Sequence, residues 1–260
     1  MKKKLYKLTA ILLTGALLLG GCGSAKGSKS STDGVTQKAE TSSKENADSK
    51  KAEAPKIDGL TYESTMDLTY AKEFDVFYYK DGYKLIDVHE GRQYLIVPER
   101  KEAPEGLDSD IVVIKQPVQN IYMAATAIMS LFDALDSVDT VKFSGLEASG
   151  WYVDSAKKAM ESGDMIFAGK YSEPDYEKIV DGNCGLAIES TMILHTPKVQ
   201  EMIEDLDIPV FVDYSSYESH PLGRTEWIKV YGAMLNKEDE AKAFFDDQAK
   251  VIEDLKDFKN

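Results

Sequence analysis

The chain predicts an α/β fold: N-terminal antiparallel strands, then a mainly parallel βαβ sheet flanked by helices, and a long helix at the end. Three observations carry this. Asp81-Gly82 separates two β-rich runs, which is a hairpin signal. Between residues 111 and 212, short aliphatic runs alternate with segments of helical spacing, the pattern of right-handed βαβ units. From Ala241 onward, Phe244, Phe245, Gln248, Ile252, Leu255 and Phe258 lie near one helical face over about five turns.

The elements follow in order. Residues 61–70, 74–80, 83–88 and 93–97 read as strands of the antiparallel opening. Ile111-Val112-Val113-Ile114 is a continuous aliphatic run, as expected of a strand covered on both faces, and Pro117 ends it. Ile121, Ala125, Ile128, Phe132 and Leu135 recur at helical spacing and predict a helix. Val141-Lys142-Phe143 and Leu186-Ala187-Ile188 read as strands, and 155–161 and 175–180 as helices. Val199, Met202, Ile203 and Leu206 mark a helix entered through Thr196 as N-cap and Pro197 in the first turn. Pro209-Val210-Phe211-Val212 is a buried strand. The α/β lobe spans 58–235, with 236–260 as the closing helix; about 200 folded residues can bury a sizeable core.

Two units precede the fold. Lys2, Lys3, Lys4 and Lys7 form a positive start, and an apolar run follows from Leu8 to Leu19. It is short for a membrane span and reads as a signal peptide at 1–21. Leu19-Gly20-Gly21-Cys22 resembles a bacterial lipobox, which implies lipid on Cys22 and a place on the outer face of the cell membrane. Residues 22–57 read as a disordered tether: they hold no aromatic residue, and Val35 is the one aliphatic larger than Ala before residue 57. A flexible coil of about 35 residues spans on the order of 30–35 Å.

Composition excludes some partners. The net charge is −14, and removing the lysine-rich start makes it more negative. Such a chain repels phosphate backbones, so nucleic acid is not expected as a partner. With Cys22 lipidated, Cys184 has no thiol to pair with, and the core alone must hold the fold.

In parallel sheets, ligands bind beyond the carboxyl ends of the strands. The loops 116–120, 145–152, 189–196 and 214–224 therefore hold the candidates. Gln116 and Asn120 lie in the first, and Trp151 and Tyr152 in the second. Glu189, Ser190, Thr191 and Met192 lie in the third, and Tyr217, Glu218, His220 and Arg224 in the fourth. Lys170 and Tyr171 follow Gly169 in a further loop. Aromatic faces with one or two cations suit a bulky, partly anionic ligand. Trp151, Tyr152, Lys170, Tyr171, Glu189, Ser190, Met192, His220 and Arg224 are the expected ligand set. Second roles stay open for three of them. Trp151 can cap the core, His220 can be a helix-entry residue, and Arg224 can pair with Glu218 or Glu226.

The run Tyr217-Glu218-Ser219-His220-Pro221-Leu222-Gly223-Arg224-Thr225-Glu226-Trp227, with the strand before it and Ile228 to Leu235 after it, carries a resemblance. It resembles the amino-terminal lobe of periplasmic-binding-protein-type lipoproteins of iron-siderophore, haem and cobalamin ABC importers. Leu186 to Thr191 and Leu206 to Val210 match that family's strand–loop–helix–strand pattern. The resemblance covers 111–258 well and 60–110 loosely. It implies one lobe of a two-lobed binding protein and the start of an interlobe helix, with the second lobe missing after Asn260. It implies capture of an iron-siderophore, haem or corrinoid and delivery to an ABC permease and its ATPase, without catalysis or a cofactor. The family's permease-docking glutamate falls at Lys198 here, so Glu201, one turn later, takes its place. The Phe-rich face of the last helix is then expected to lack part of its cover.

Two other classes stay open behind this one. A free metal-ion-binding lipoprotein has only His89, His195 and His220 to draw on, without close ligand spacing. A surface-anchored hydrolase lacks a Gly-x-Ser-x-Gly elbow and a paired Cys/His set, and Cys184 reads as an inert core residue.

Overall fold

The computed structural model describes residues 53–257. The signal peptide at 1–21, Cys22, most of the tether and Phe258 lie outside the described residues. Packing begins inside the stretch read as tether: Ile57 is buried, and Tyr79 donates a hydrogen bond to the Pro55 carbonyl.

β1 (Tyr62–Thr65), β2 (Phe74–Tyr79), β3 (Lys84–Val88), β4 (Gln93–Val97) and β5 (Ile111–Lys115) form the first sheet in that order. Neighbours are antiparallel as far as β4. The β2–β3 turn holds Asp81 at φ 65° and Gly82 at φ 85°, the left-handed pair that Asp-Gly favours. The first strand is shorter than the sequence predicts, because the backbone after it serves two carboxylates instead of a ladder. Alternate residues feed two cores. Val76, Ile86, Ile96 and Ile114 enter the main one, and Phe77, Leu85, Leu95 and Val97 meet Ile57 in a smaller one. The aliphatic run at 111–114 is thus served on both faces, but it belongs to this sheet, where β5 pairs parallel to β4.

The second sheet is wholly parallel. Its order is β12 (Val210–Asp213), β11 (Leu186–Ser190), β6 (Ile121–Met123), β7 (Val141–Ser144) and β8 (Ile166–Phe167). Here the helical spacing from Ile121 misleads. Ile121, Tyr122 and Met123 are all fully buried, which a surface helix cannot arrange but a central strand with both faces covered can. Helix α1 (Met129–Ala134) begins only after them. It leads to β7, and α2 (Asp154–Ser162) leads to β8. A hairpin, β9 (Gly169–Lys170) and β10 (Glu173–Pro174), and α3 (Tyr176–Asp181) carry the chain back to β11. From there α4 (Pro197–Glu204) leads to β12. Strand order therefore reverses between β6 and β11, which opens a crevice at the carboxyl edge. Pro197 sits at the start of α4 as expected, but Thr196 does not cap it; its hydroxyl donates backward to the Ile193 carbonyl.

Three helices close the fold: α5 (Pro221–Glu226), α6 (Ile228–Leu235) and α7 (Glu238–Asp257). Tyr231 of α6 packs against Phe132 and Phe211 at ring separations of 5.4 and 6.0 Å. A Cβ on Gly232 would stand 2.6 Å from the Cβ of Ala241, so α6 and α7 touch where only glycine fits. The Phe face of α7 is covered in part, at its amino end. Phe245 is buried beside Tyr70 and under the Lys229 ammonium, while the exposed apolar residues are Val251, Ile252 and Leu255.

Two buried carboxylates tie the sheets together. Glu226 accepts hydrogen bonds from the N–H groups of Thr69, Tyr70 and Ala71. Glu218 accepts from those of Lys72 and Glu73 and from the Trp227 indole. The edge of β12 is sealed as well, since the Val212 N–H donates to the Tyr94 hydroxyl at 3.2 Å.

Candidate functional site

A cleft of about 420 Å³ opens at the carboxyl edge of the second sheet, across the strand-order reversal. Each wall comes from a different strand end. Ala124 to Ile128 follow β6, Gly145 and Leu146 follow β7, and Ser190 and Met192 come from β11 and the turn after it. Asp213, Ser215 and Ser216 close the β12 side, and Lys170 and Tyr171 reach over from the hairpin. Gly145 is demanded by close approach: a Cβ there would lie 2.9 Å from the Ala124 Cα. The small side chains at 124, 125, 127 and 145 leave room for a bulky guest, and Lys170 is the one cation among the lining residues.

The rear of the cleft is held by hydrogen bonds. Ser215 donates to the Asp213 carboxyl, which also accepts from the Tyr231 hydroxyl at 2.6 Å. Burial pushes Asp213 above the usual carboxylate range, against the pull of those bonds. The Trp151 indole donates to the Ser144 hydroxyl, which in turn donates to the Leu146 carbonyl. That chain fixes the Gly145–Leu146 turn.

Four of the nine expected ligand residues meet in the cleft: Lys170, Tyr171, Ser190 and Met192. Trp151 takes its second role, as a buried indole supporting the turn. Tyr152 is 93% exposed and does not line the cleft. His220 is a helix-entry residue: its Nδ1 accepts from the Leu222 N–H, and its ring stacks on Tyr70. Arg224 does not line the cleft and pairs with neither glutamate. Its guanidinium donates to the Ser216 and Glu218 carbonyls, while the Glu218 and Glu226 carboxylates are filled by backbone N–H groups. Glu189 is fully buried next to the cleft residue Ser190. Glu201 is exposed on α4.

The 116–120 loop is a correction of place. It precedes β6 and so lies at the amino end of that strand. Gln116 donates to the Met234 carbonyl and the Asn236 side chain, and Asn120 to the Asn183 carbonyl. The segment that does line the cleft, Ala124-Ala125-Thr126-Ala127-Ile128, carries no charged or aromatic residue and gives little chemical signal in sequence. Its position one residue past a central strand is the only pointer. Burial pushes the Cys184 thiol up to about 11, so it stays protonated. Among the described residues no group of three or more His, Cys, Asp or Glu side chains could hold a metal ion. Among them, too, no helix is long and apolar enough to cross a membrane.

No family model matches the chain. An uncharacterized lipoprotein of Methanocaldococcus jannaschii is 27% identical over 220 residues, covering 73% of this chain and 52% of the relative. A second lipoprotein of that organism is 25% identical over 261 residues, covering 97% of this chain and 62% of the relative. The chain thus spans between half and two thirds of these relatives. Among solved structures, a periplasmic haem-binding protein of Pseudomonas aeruginosa aligns with 54% of this chain and 46% of its own, at 15% identity and a TM-score of 0.40. A petrobactin-binding protein of Bacillus subtilis aligns with 56% of this chain and 47% of its own, at 18% identity and a TM-score of 0.41. The sequence relatives are lipoproteins, and the structural neighbours are haem- and siderophore-binding proteins.

Proposed function

We propose that this chain is the cargo-binding part of an extracytoplasmic lipoprotein. It captures an iron-siderophore, haem or corrinoid and passes it to an ABC permease driven by its ATPase. The cleft at the strand-order reversal is the observation that carries the reading. It is open and largely apolar, and has one cation at its wall, which suits a bulky ligand with anionic oxygens. The lipobox-like start and the lipoprotein relatives support anchoring through Cys22 at the outer face of the membrane. Glu201, exposed on α4, is the proposed permease contact. The Ser144 and Ser215 hydroxyls and the Asp213 carboxyl beside the cleft are engaged in fixing turns, which favours holding a ligand over turning one over.

Titration calorimetry with a ferric catecholate, a ferric hydroxamate, haemin and cobalamin tests the reading. One of these is expected to bind at micromolar concentration or tighter, on the order of −8 kcal/mol or better. Binding of none of them, or tight binding of a bare metal ion instead, would overturn it.

A further inference from the structure

Both carboxyl oxygens of Glu189 are buried and have no hydrogen-bond partner among the described residues. A buried polar group left unsatisfied calls for an explanation, because it costs folding free energy. Its place in the fold suggests one. Ala187 pairs with Tyr122 across β11 and β6, so Glu189, two residues on, shares the Tyr122 face toward the carboxyl end. The Tyr122 hydroxyl donates to the Gly169 carbonyl of the β9–β10 hairpin at 3.1 Å. Tyr176 opens α3 just after that hairpin. Both phenols are pushed up, by burial first and then by Glu189, so both stand within its electrostatic reach. The Cys184 thiol acts on Tyr122 as well. Phe143 and Val212, the flanking residues on this face by register, are apolar. Of the nearby charges, Lys170 and Glu173 are exposed on the hairpin, and Lys178 pairs with Asp175 at 3.0 Å. Burial raises the Glu189 carboxyl to about 9, with no cation among the described residues opposing it.

The hairpin above it is slight. Each strand has two residues, and among the described residues the two pair only with each other as a sheet. Yet it carries Lys170 and Tyr171, which wall the cleft. We propose that Glu189 is a proton-held latch beneath the cleft: neutral, it lets the hairpin and α3 close over the sheet, and ionised, it releases them and opens the Lys170–Tyr171 wall. Opening admits water to the carboxyl, which then gives its proton to solvent. The carboxyl is ordinary when hydrated and raised when closed in. Closure is therefore strongest at low pH, and opening grows by up to roughly tenfold per pH unit until it levels off above about 9. The latch does not depend on which cargo is bound.

Trypsin cleavage after Lys170 in the whole chain reads the opening. Wild type and Glu189→Gln are compared at each pH from 6.5 to 9.5, so the protease's own pH response cancels. The wild-type-to-variant ratio at Lys170 is expected to rise roughly tenfold or more between pH 7 and 9 and then flatten. Cleavage after Lys84, buried in β3, reports unfolding of the whole fold and is expected to keep a constant ratio. A flat ratio at Lys170 would overturn the proposal. A rise at Lys170 matched at Lys84 would overturn it too, by making Glu189 merely destabilising. If Glu189→Gln does not fold, Glu189→Met is the reference without a proton to lose.

Discussion

Glu226 Oε1 and Lys229 Nζ meet at 2.7 Å in the interior, with the carboxylate fully buried and the lysine side chain 9% exposed. The pair is not isolated. The carboxylate also holds three backbone N–H groups from 69–71, and the ammonium also donates to the Asp67 carbonyl. Glu226→Ala removes the acceptor of three amides and leaves the buried ammonium with the Asp67 carbonyl but no counter-charge. It is expected to lose about 3–5 kcal/mol of stability in urea unfolding. A loss under about 1 kcal/mol would mean that the 69–71 amides are served by water instead.

The contact of α6 with α7 rests on a missing side chain. Gly232→Ala would place a methyl 2.6 Å from Ala241 and 2.9 Å from the Lys237 carbonyl. Overpacking of this kind is expected to cost about 1–3 kcal/mol, partly offset by alanine's better helix propensity. A melting temperature equal to wild type would show that α7 shifts freely.

Within the proposed cargo site, Lys170 and Arg224 separate two readings of charge. Lys170→Ala removes the cation that lines the cleft and is expected to weaken an anionic cargo roughly tenfold, or about 1.4 kcal/mol. Arg224→Ala acts only through the 214–224 loop, whose carbonyls it holds, and is expected to change affinity by less than about threefold. The reverse order in a calorimetric titration would return the anion role to Arg224.

His89 has acceptors at both ring nitrogens: the Lys72 carbonyl at 2.6 Å and the Asp75 carboxylate at 2.9 Å. Only the doubly protonated ring can donate to both. Burial alone would lower its pKa, but Asp75, the Lys72 carbonyl and the charge of Asp87 outweigh burial and raise it. A raised folded value means that the stabilisation is complete below pH ~6.5 and fades as pH climbs through the folded value. The side chain is 40% exposed, so screening holds the effect below about 1 kcal/mol. An NMR titration of His89 midway below 6.5 would contradict this, as would an unchanged pH profile in His89→Gln.

The sequence shows most of this fold where local signals and packing agree. Asp81-Gly82 is a hairpin because both residues tolerate positive φ, and Val210 to Val212 is a strand because both faces are covered. It misleads at Ile121, where three buried residues happen to begin a helical spacing. It misleads again at Ile111, whose sheet is chosen by pairing with β4 and not by its own composition. The site is less legible. Ser190 and Met192 follow from the rule that loops at carboxyl ends bind ligands, while Lys170 and Tyr171 are picked out as a cation beside an aromatic ring in the loop after Gly169. Arg224 and His220 are polar residues in the right loop whose partners are local backbone groups, which spacing does not reveal. The alanines of 124–128 contribute by being small.

The bonds from Glu226 to Thr69 join positions 157 apart in sequence, and those from Glu218 to Lys72 join positions 146 apart. Closing so long a loop is entropically costly and slow, so these contacts come after the local hairpins and βαβ turns. The loop they anchor carries Ser215 and Ser216 into the cleft. The cleft is therefore a late product of folding. A growing chain has most of its strands in hand well before it has a site, and until Glu226 is added the loop after β12 lacks one of the two carboxylates that fasten it to the opening sheet.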